Sequence, residues 1–337
     1  MGKDRFGGLS DVDFVIFSFT TDQSAKLLSL AFFFVPIITV KAVPIETSSF
    51  CTACEIIKIW LTSERTGFAR EVVMQQAHDF LEEAATLAGL LENQSENVFD
   101  IVTLFKSWTI NDVIGHLYMF DVAALKTLES GQAFDTFFAP ISAGLNQGKT
   151  LLETQYPFLG DLRGRALFDT WLENTEILGQ AYALADPKLR VKWAGPDMSA
   201  LSSITARQME TWAHGHEIFD ALGEQRKEGD RIKNICHLGV STFGWTFVNR
   251  KMEIPEPVPF VELTAPSGQI WIWNDPASHT SVRGSAVEFA QVVTQVRCFE
   301  DTNLEAIGPS AQLWMSLAQC FAGNPESPPA KGSRYQV

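Results

Sequence analysis

A chain of 337 residues, 46% hydrophobic and 20% charged, has the composition of a folded globular protein long enough for about two domains. Its 26 Lys and Arg against 40 Asp and Glu give a formal charge of −14. No local run of basic residues relieves that excess, which argues against a nucleic-acid partner. Five cysteines, an odd number over this length, do not make a secreted disulfide scaffold and point to a reducing, cytoplasmic setting.

At the N-terminal end, residues 28–40 are strongly apolar but too few for a membrane span, and Pro36 interrupts them. Extending the window to Ala25–Val43 brings in Lys26 and Lys41. As a signal peptide the stretch starts late, behind Asp4, Asp11 and Asp13. Cys51-Thr-Ala-Cys54 is a lone C-x-x-C without a second ligand pair or a thioredoxin-like context, so no metal or redox role is expected of it.

From about Met74 the pattern is helical. Over 69–93, Val72, Val73, Ala77, Phe80, Leu81, Ala84, Leu87, Leu90 and Leu91 recur at helical spacing with acids between them. Thr109 with Asp112 three residues on forms a capping signal, which predicts a helix over about 110–128. A short helix is expected over 133–147 and a longer one over 161–185, ended by Asp186-Pro187. Trp193-Ala-Gly-Pro-Asp-Met-Ser199 reads as a loop, after which Ser199, Ser202 or Ser203 caps a helix ending near Gly223. Another helix is expected over about 230–248. Three prolines within Glu253–Pro259 mark a domain edge. Beyond it, Phe260-Val-Glu-Leu-Thr and Gln269-Ile-Trp-Ile-Trp273 flank Ala265-Pro-Ser-Gly268 as a β-hairpin. A helix over 285–297, a strand over 303–307 and a helix over 309–322 complete the reading, before a Pro-, Ser- and Gly-rich tail.

Two of these helices carry metal-capable side chains. Glu210 and His214, four residues apart, share one helical face with Cβ atoms roughly 6 Å apart. His116 supplies a third donor from another helix. Two neutral imidazoles and a carboxylate inside a helix bundle suit a zinc-like ion with a position left for water or substrate. The same donors suit Ni²⁺, Mn²⁺ or Fe²⁺. A plainer reading stands beside this one. A histidine on an apolar helix is commonly a packed core residue, and Glu210 has Arg207 three positions before it as an ion-pair partner. His216 points about 200° from His214 and cannot join the same site if the helix is regular, although a distorted helix end could bring it in. Glu217 shares the His214 face and could orient an imidazole.

Six segments carry a resemblance to a known family. They are Phe105-Lys-Ser-Trp-Thr-Ile-Asn-Asp-Val-Ile-Gly-His116-Leu, Trp193-Ala-Gly-Pro-Asp-Met-Ser, Ala206-Arg-Gln-Met-Glu-Thr-Trp-Ala-His-Gly215, Asp230-Arg-Ile, His237-Leu-Gly-Val and Gln319-Cys-Phe-Ala-Gly323. From about residue 74 to 330 the chain resembles the DinB-like superfamily. Within it, the match is to the branch related to mycothiol-dependent maleylpyruvate isomerase, which includes fungal "wyosine base formation" domain proteins. The resemblance implies a mainly α fold: a four-helix bundle over 74–252, then a small α+β domain similar to sterol-carrier folds over 253–323, and a tail over 324–337. It implies a metal held by a His on the second bundle helix and a Glu-x-x-x-His on the fourth, which fall on His116, Glu210 and His214. The position of His216 is more often Gln in this branch, so no role passes to it. Residues 1–73 have no counterpart, and Met74 sits where the family's own start falls. An atypical extension, disordered or a gene-model artefact, is therefore expected there.

Function follows as an expectation from that resemblance. It implies a metal-dependent small-molecule enzyme of the isomerase, thiol-transferase or hydrolase type, with a low-molecular-weight thiol as a further cofactor. A basic residue of the C-terminal domain holds the substrate carboxylate in the related isomerase. Arg297 is the candidate here, with Arg283 beside it, and an acid such as Glu300 or Asp301 is the plain alternative partner of Arg297. His237 and Asp230 are further titratable groups without a fixed role, and Trp108 and Trp212 read as core or pocket wall. A non-catalytic protein holding a metal or an apolar ligand is the second reading. Transfer-RNA modification rests on a family label alone, against the charge of −14. Oligomeric state is open.

Overall fold

Four long helices bury apolar stripes against one another: α1 (Gln75–Leu91), α2 (Ile110–Glu129), α5 (Gly164–Ala183) and α6 (Ala200–Leu222). The computed structural model describes residues Met74–Arg334. The apolar stretch 28–40, the Cys51–Cys54 pair and the expected N-terminal extension lie outside the described residues. α1 packs against α5 and α6, and α2 against α5 and α6. Leu87, Leu91, Val113, Leu117, Phe168 and Trp171 fill the middle of the bundle. Each large side chain buried this way contributes about 1.5–3 kcal/mol. No helix among the described residues is long and apolar enough to cross a membrane.

Local chemistry sets the ends of the two helices that matter most. α2 starts at the capping box of Thr109 and Asp112, with Asp112 N donating to Thr109 Oγ1 at 3.1 Å and Thr109 N to Asp112 Oδ2 at 2.9 Å. α6 starts at Ser199, whose Oγ accepts from Ser202 N, and ends at Gly223 with φ +67°.

Between α2 and α5 lie α3 (Gly131–Asn146) and α4 (Leu151–Leu159). α4 falls between the helices expected over 133–147 and 161–185, and the capping box of Thr150 and Glu153 starts it. Pro157 sits late enough in α4 to leave its first turns intact. α4 lies close beside α2: a Cβ at Gly115 would fall 2.6 Å from Leu159 Cδ1. A two-residue antiparallel pair, β1 (Arg190–Val191) with β2 (Met198–Ser199), brackets the loop before α6.

The helix expected over 230–248 is broken. A 3₁₀ turn at Asp230–Ile232 leads into α7 (Lys233–Ser241), and α8 (Phe243–Val248) follows. Then come β3 (Phe260–Thr264), β4 (Ile270–Trp273) and β5 (Ser281–Ser285), α9 (Ala286–Val293), β6 (Glu305–Ile307) and α10 (Pro309–Leu317). The order across the sheet is β4-β3-β5-β6, with β3 and β5 parallel and the other two pairs antiparallel. β5 was not predicted: Ser281, Arg283, Gly284 and Ser285 hide its strand character behind polarity. The architecture is mainly α with a small α+β C-terminal part. One core runs through both parts, joining Met209 and Trp212 of α6 to Val261, Phe289 and Trp314.

The Pro- and Gly-rich C-terminal segment is irregular but well anchored. Gln295 Nε2 donates to the carbonyls of Ala318 and Glu326, and Arg250 Nη2 to Gln319 Oε1 at 3.1 Å. The buried Gln295 side chain thus satisfies backbone carbonyls that have no strand or helix to pair in.

Candidate metal centre

α2 and α6 bring three donors to one point. His116 Nε2 lies 3.5 Å and His214 Nε2 3.4 Å from the same atom, Glu210 Oε2. The donor atoms of these three residues all lie within 4.8 Å of one another. Arg207, the plain alternative partner for Glu210, pairs instead with Asp121 at 2.8 Å.

The spacing suits a shared ion. Two ligand atoms about 2.1 Å from one ion at near-tetrahedral angles stand about 3.4 Å apart. The two measured separations match that edge length, and both are longer than an ordinary hydrogen bond. The imidazoles are covered, at 7% and 11% side-chain exposure, while Glu210 is 25% exposed. The centre therefore opens to solvent on its carboxylate side.

Burial dominates at His116 and, against the pull of Glu210, pushes its imidazole down to about 4, so it is neutral near pH 7. Burial also works against the Glu210 carboxylate, but the two imidazoles outweigh it and hold that carboxyl well below the usual range. A neutral imidazole and an ionised carboxylate are the protonation states a metal requires. His116 Nδ1 is buried with no hydrogen-bond partner among the described residues. Its ring is fixed by packing instead, with Trp108 at 5.4 Å and Phe120 at 4.8 Å between centroids.

Aromatic residues wall the centre. Phe105 stands edge-on to His214 at 5.0 Å, and the Trp108 ring lies parallel to His214 at 6.3 Å. Both come from a tight turn that has no signature in the sequence. Lys106 and Ser107 sit at φ +50° and +58°, and Trp108 N donates to the Phe105 carbonyl at 2.9 Å. An isolated bridge between Val102 and Thr109 closes the turn. Left-handed backbone at two non-glycine residues is strained, and nothing in Lys-Ser announces it.

The remaining candidates fall elsewhere. His216 turns to Glu228, Nε2 to Oε1 at 3.1 Å, and does not join the centre. Glu217 is buried one turn beyond His214 and binds Arg334 at 2.5 Å. Arg334 also lies 5.4 Å over the Phe105 ring, a contact that no sequence signal marked. Arg297 is buried and pairs with Asp220 of α6 at 2.7 Å. Arg283 lies on β5 beside Glu262, 3.6 Å away. Asp230 holds Ser267 of the hairpin turn, and His237 Nδ1 accepts from Trp273 Nε1 at 3.2 Å. Trp108 is wall and Trp212 is core, as expected. A second grouping, His78, Asp79 and Glu82, is one face of α1 on which Asp79 is already bonded to Gln75 and Asn234.

Residues 80–219 match the family model described as mycothiol maleylpyruvate isomerase N-terminal domain, a span that holds all three donors. An uncharacterized protein of Mycobacterium tuberculosis, found in two strains, is 35% identical over 229 residues, 67% of this chain and 85% of the relative. The chain belongs to the mycothiol maleylpyruvate isomerase N-terminal domain family. Two solved structures are also similar to this family member: the mycothiol-dependent maleylpyruvate isomerase (TM-score 0.43, 14% identity) and its histidine-to-alanine variant (0.42, 16%). Each match covers 65% of this chain and 87% of the other.

Proposed function

We propose that this family member is a divalent-metal-dependent enzyme that acts on a small molecule with the help of an external thiol, as an isomerase or thiol transferase. The convergence of His116 Nε2 and His214 Nε2 on Glu210 Oε2, at 3.5 and 3.4 Å, carries the reading. His116, Glu210 and His214 would hold the ion, with Zn²⁺ the best fit to the donor set and Ni²⁺, Mn²⁺ or Fe²⁺ next. Such an ion lowers the pKa of a bound thiol or water and polarises a carbonyl.

The chain's own residues then have defined tasks. The imidazoles bind, and Trp108, Phe105 and Phe120 exclude water around them. The carboxylate side of Glu210 leaves the approach for substrate. The thiol would come from outside the chain. Burial pushes the Cys236 and Cys320 thiols far up and that of Cys298 up to about 11, so none of these three is a ready nucleophile. Arg297 would hold a substrate carboxylate only by exchanging Asp220 for it. A closed, non-catalytic centre completed by His216 is disfavoured, because His216 lies on the other side of α6 and is bonded to Glu228.

The test is metal content by ICP-MS on protein purified without a His-tag, comparing wild type with His214→Ala, followed by thiol-dependent isomerase and transferase assays on the loaded protein. Near-stoichiometric metal lost in the variant, with thiol-dependent turnover, is the expected result. Wild type that takes up no zinc, nickel or manganese overturns it.

A further inference from the structure

The two helices of the metal centre are also tied together one turn away from it, by a deeper pair. Arg207 lies one turn before Glu210 on α6, and Asp121 lies five residues after His116 on α2. Arg207 Nε donates to Asp121 Oδ1 at 2.8 Å, and both side chains are essentially sealed, at 2% and 0% exposure. Trp171 of α5 donates Nε1 to the other carboxylate oxygen at 3.2 Å. Arg207 Nη2 reaches the carbonyl of Leu117, the residue after His116, at 3.4 Å. The guanidinium also lies 5.9 Å from the Phe120 ring, the ring that packs on His116.

Charges at this depth are not needed to hold two helices together, since apolar side chains of similar volume do so as well or better. What an apolar seam lacks is direction. A guanidinium is a planar fork of donors that meets a carboxylate and a carbonyl in few orientations. Turning a helix by one residue swings its side chains through about 100°. With Arg207 bound to Asp121 and Leu117 O, and Asp121 bound in turn to Trp171, α6 has one rotation and one register against α2. That register is the one that carries Glu210 to His116.

We infer that Arg207, Asp121 and Trp171 form a positioning cluster, which sets the geometry of the metal centre without touching the ion. The inference rests on the metal reading above. Its test uses Co²⁺ as the probe, with affinity from chelator competition and ligand geometry from the visible absorption bands. Urea unfolding is measured in parallel. In the doubly apolar variant Arg207→Met with Asp121→Leu, the urea midpoint is expected near that of wild type, the apolar pair offsetting the Trp171 Nε1–H left without its acceptor, while the Co²⁺ Kd rises about 10–100-fold and the bands shift. Arg207→Lys keeps the charge without the fork and should fall between. A double variant with wild-type affinity and bands overturns the inference. So does one that loses metal only in proportion to its loss of folded protein. Wild type that binds no Co²⁺ refutes the metal reading itself and takes the inference with it.

Discussion

His214 and His216 lie two residues apart on α6 and serve opposite sides of it. His214 Nε2 faces Glu210 Oε2 at 3.4 Å, and His216 Nε2 faces Glu228 Oε1 at 3.1 Å. On a helix two positions subtend about 200°, so one imidazole reaches the candidate metal centre and the other a separate buried network. In that network Trp212 Nε1 also donates to Glu228, at 2.9 Å.

This division predicts unequal effects of two similar substitutions. His214→Ala, like His116→Ala or Glu210→Gln, should abolish stoichiometric metal binding. His216→Ala should leave metal content unchanged and lower stability by about 1–3 kcal/mol, because Glu228 loses a partner. Metal analysis and urea unfolding on the same preparations separate the two, and metal loss in the His216 variant would contradict the assignment.

Glu228 gives a pH dependence with a definite sign. Burial tends to raise its carboxyl, but hydrogen bonds from His216 and Trp212 and the charge of Arg226 outweigh this and hold it below the ordinary 4.5. A depressed carboxylate stabilises the fold above its unfolded value and loses that contribution as pH falls through its folded value. Glu228→Gln should therefore be less stable than wild type at pH 7, with the gap closing below about pH 4.5. A gap that stays constant from pH 7 to 3 would refute the prediction.

The turn at Lys106 and Ser107 predicts a stabilising change. Each non-glycine residue in the left-handed region costs on the order of 1 kcal/mol. Ser107→Gly, at φ +58°, should relieve that strain and raise Tm by a few degrees. Since Phe105 and Trp108 are presented by this turn, metal exchange should quicken in the same variant. A lowered Tm would show that the Ser107 side chain matters more than its backbone.

Arg334 should matter out of proportion to its place near the C-terminus. Glu217, 4% exposed, depends on it, and Arg334→Ala would strand a buried carboxylate at a cost of up to about 3 kcal/mol. Arg334→Lys should recover part of the loss. Thermal unfolding of the two variants decides it, and an unchanged Tm in Arg334→Ala would mean the contact contributes nothing in solution.

The family segments and the helical periodicities made the bundle legible, because side chains at i, i+3 and i+4 must share a face whatever surrounds them. Glu210 and His214 were readable for that reason, and Thr109 because a capping box is a local motif. Where neighbours from distant parts of the chain supply the energy, the sequence was silent. β5 is a polar strand that exists because β3 and β6 pair with it on both sides. The helix expected over 161–185 begins at Gly164 instead, and α4 ends just before it.

By itself, then, the sequence determined which residues can share a helix face, where helices are capped, and which side chains can offer a metal donor atoms. Only the tertiary structure decided that Arg207 goes to Asp121 and leaves Glu210 to the histidines, that His216 belongs to Glu228, and that Arg334 reaches Glu217. Local rules fix the direction a side chain takes from its own helix. Which partner it meets depends on how separate helices are rotated and pressed together, and buried charges take whichever partner that packing brings within reach.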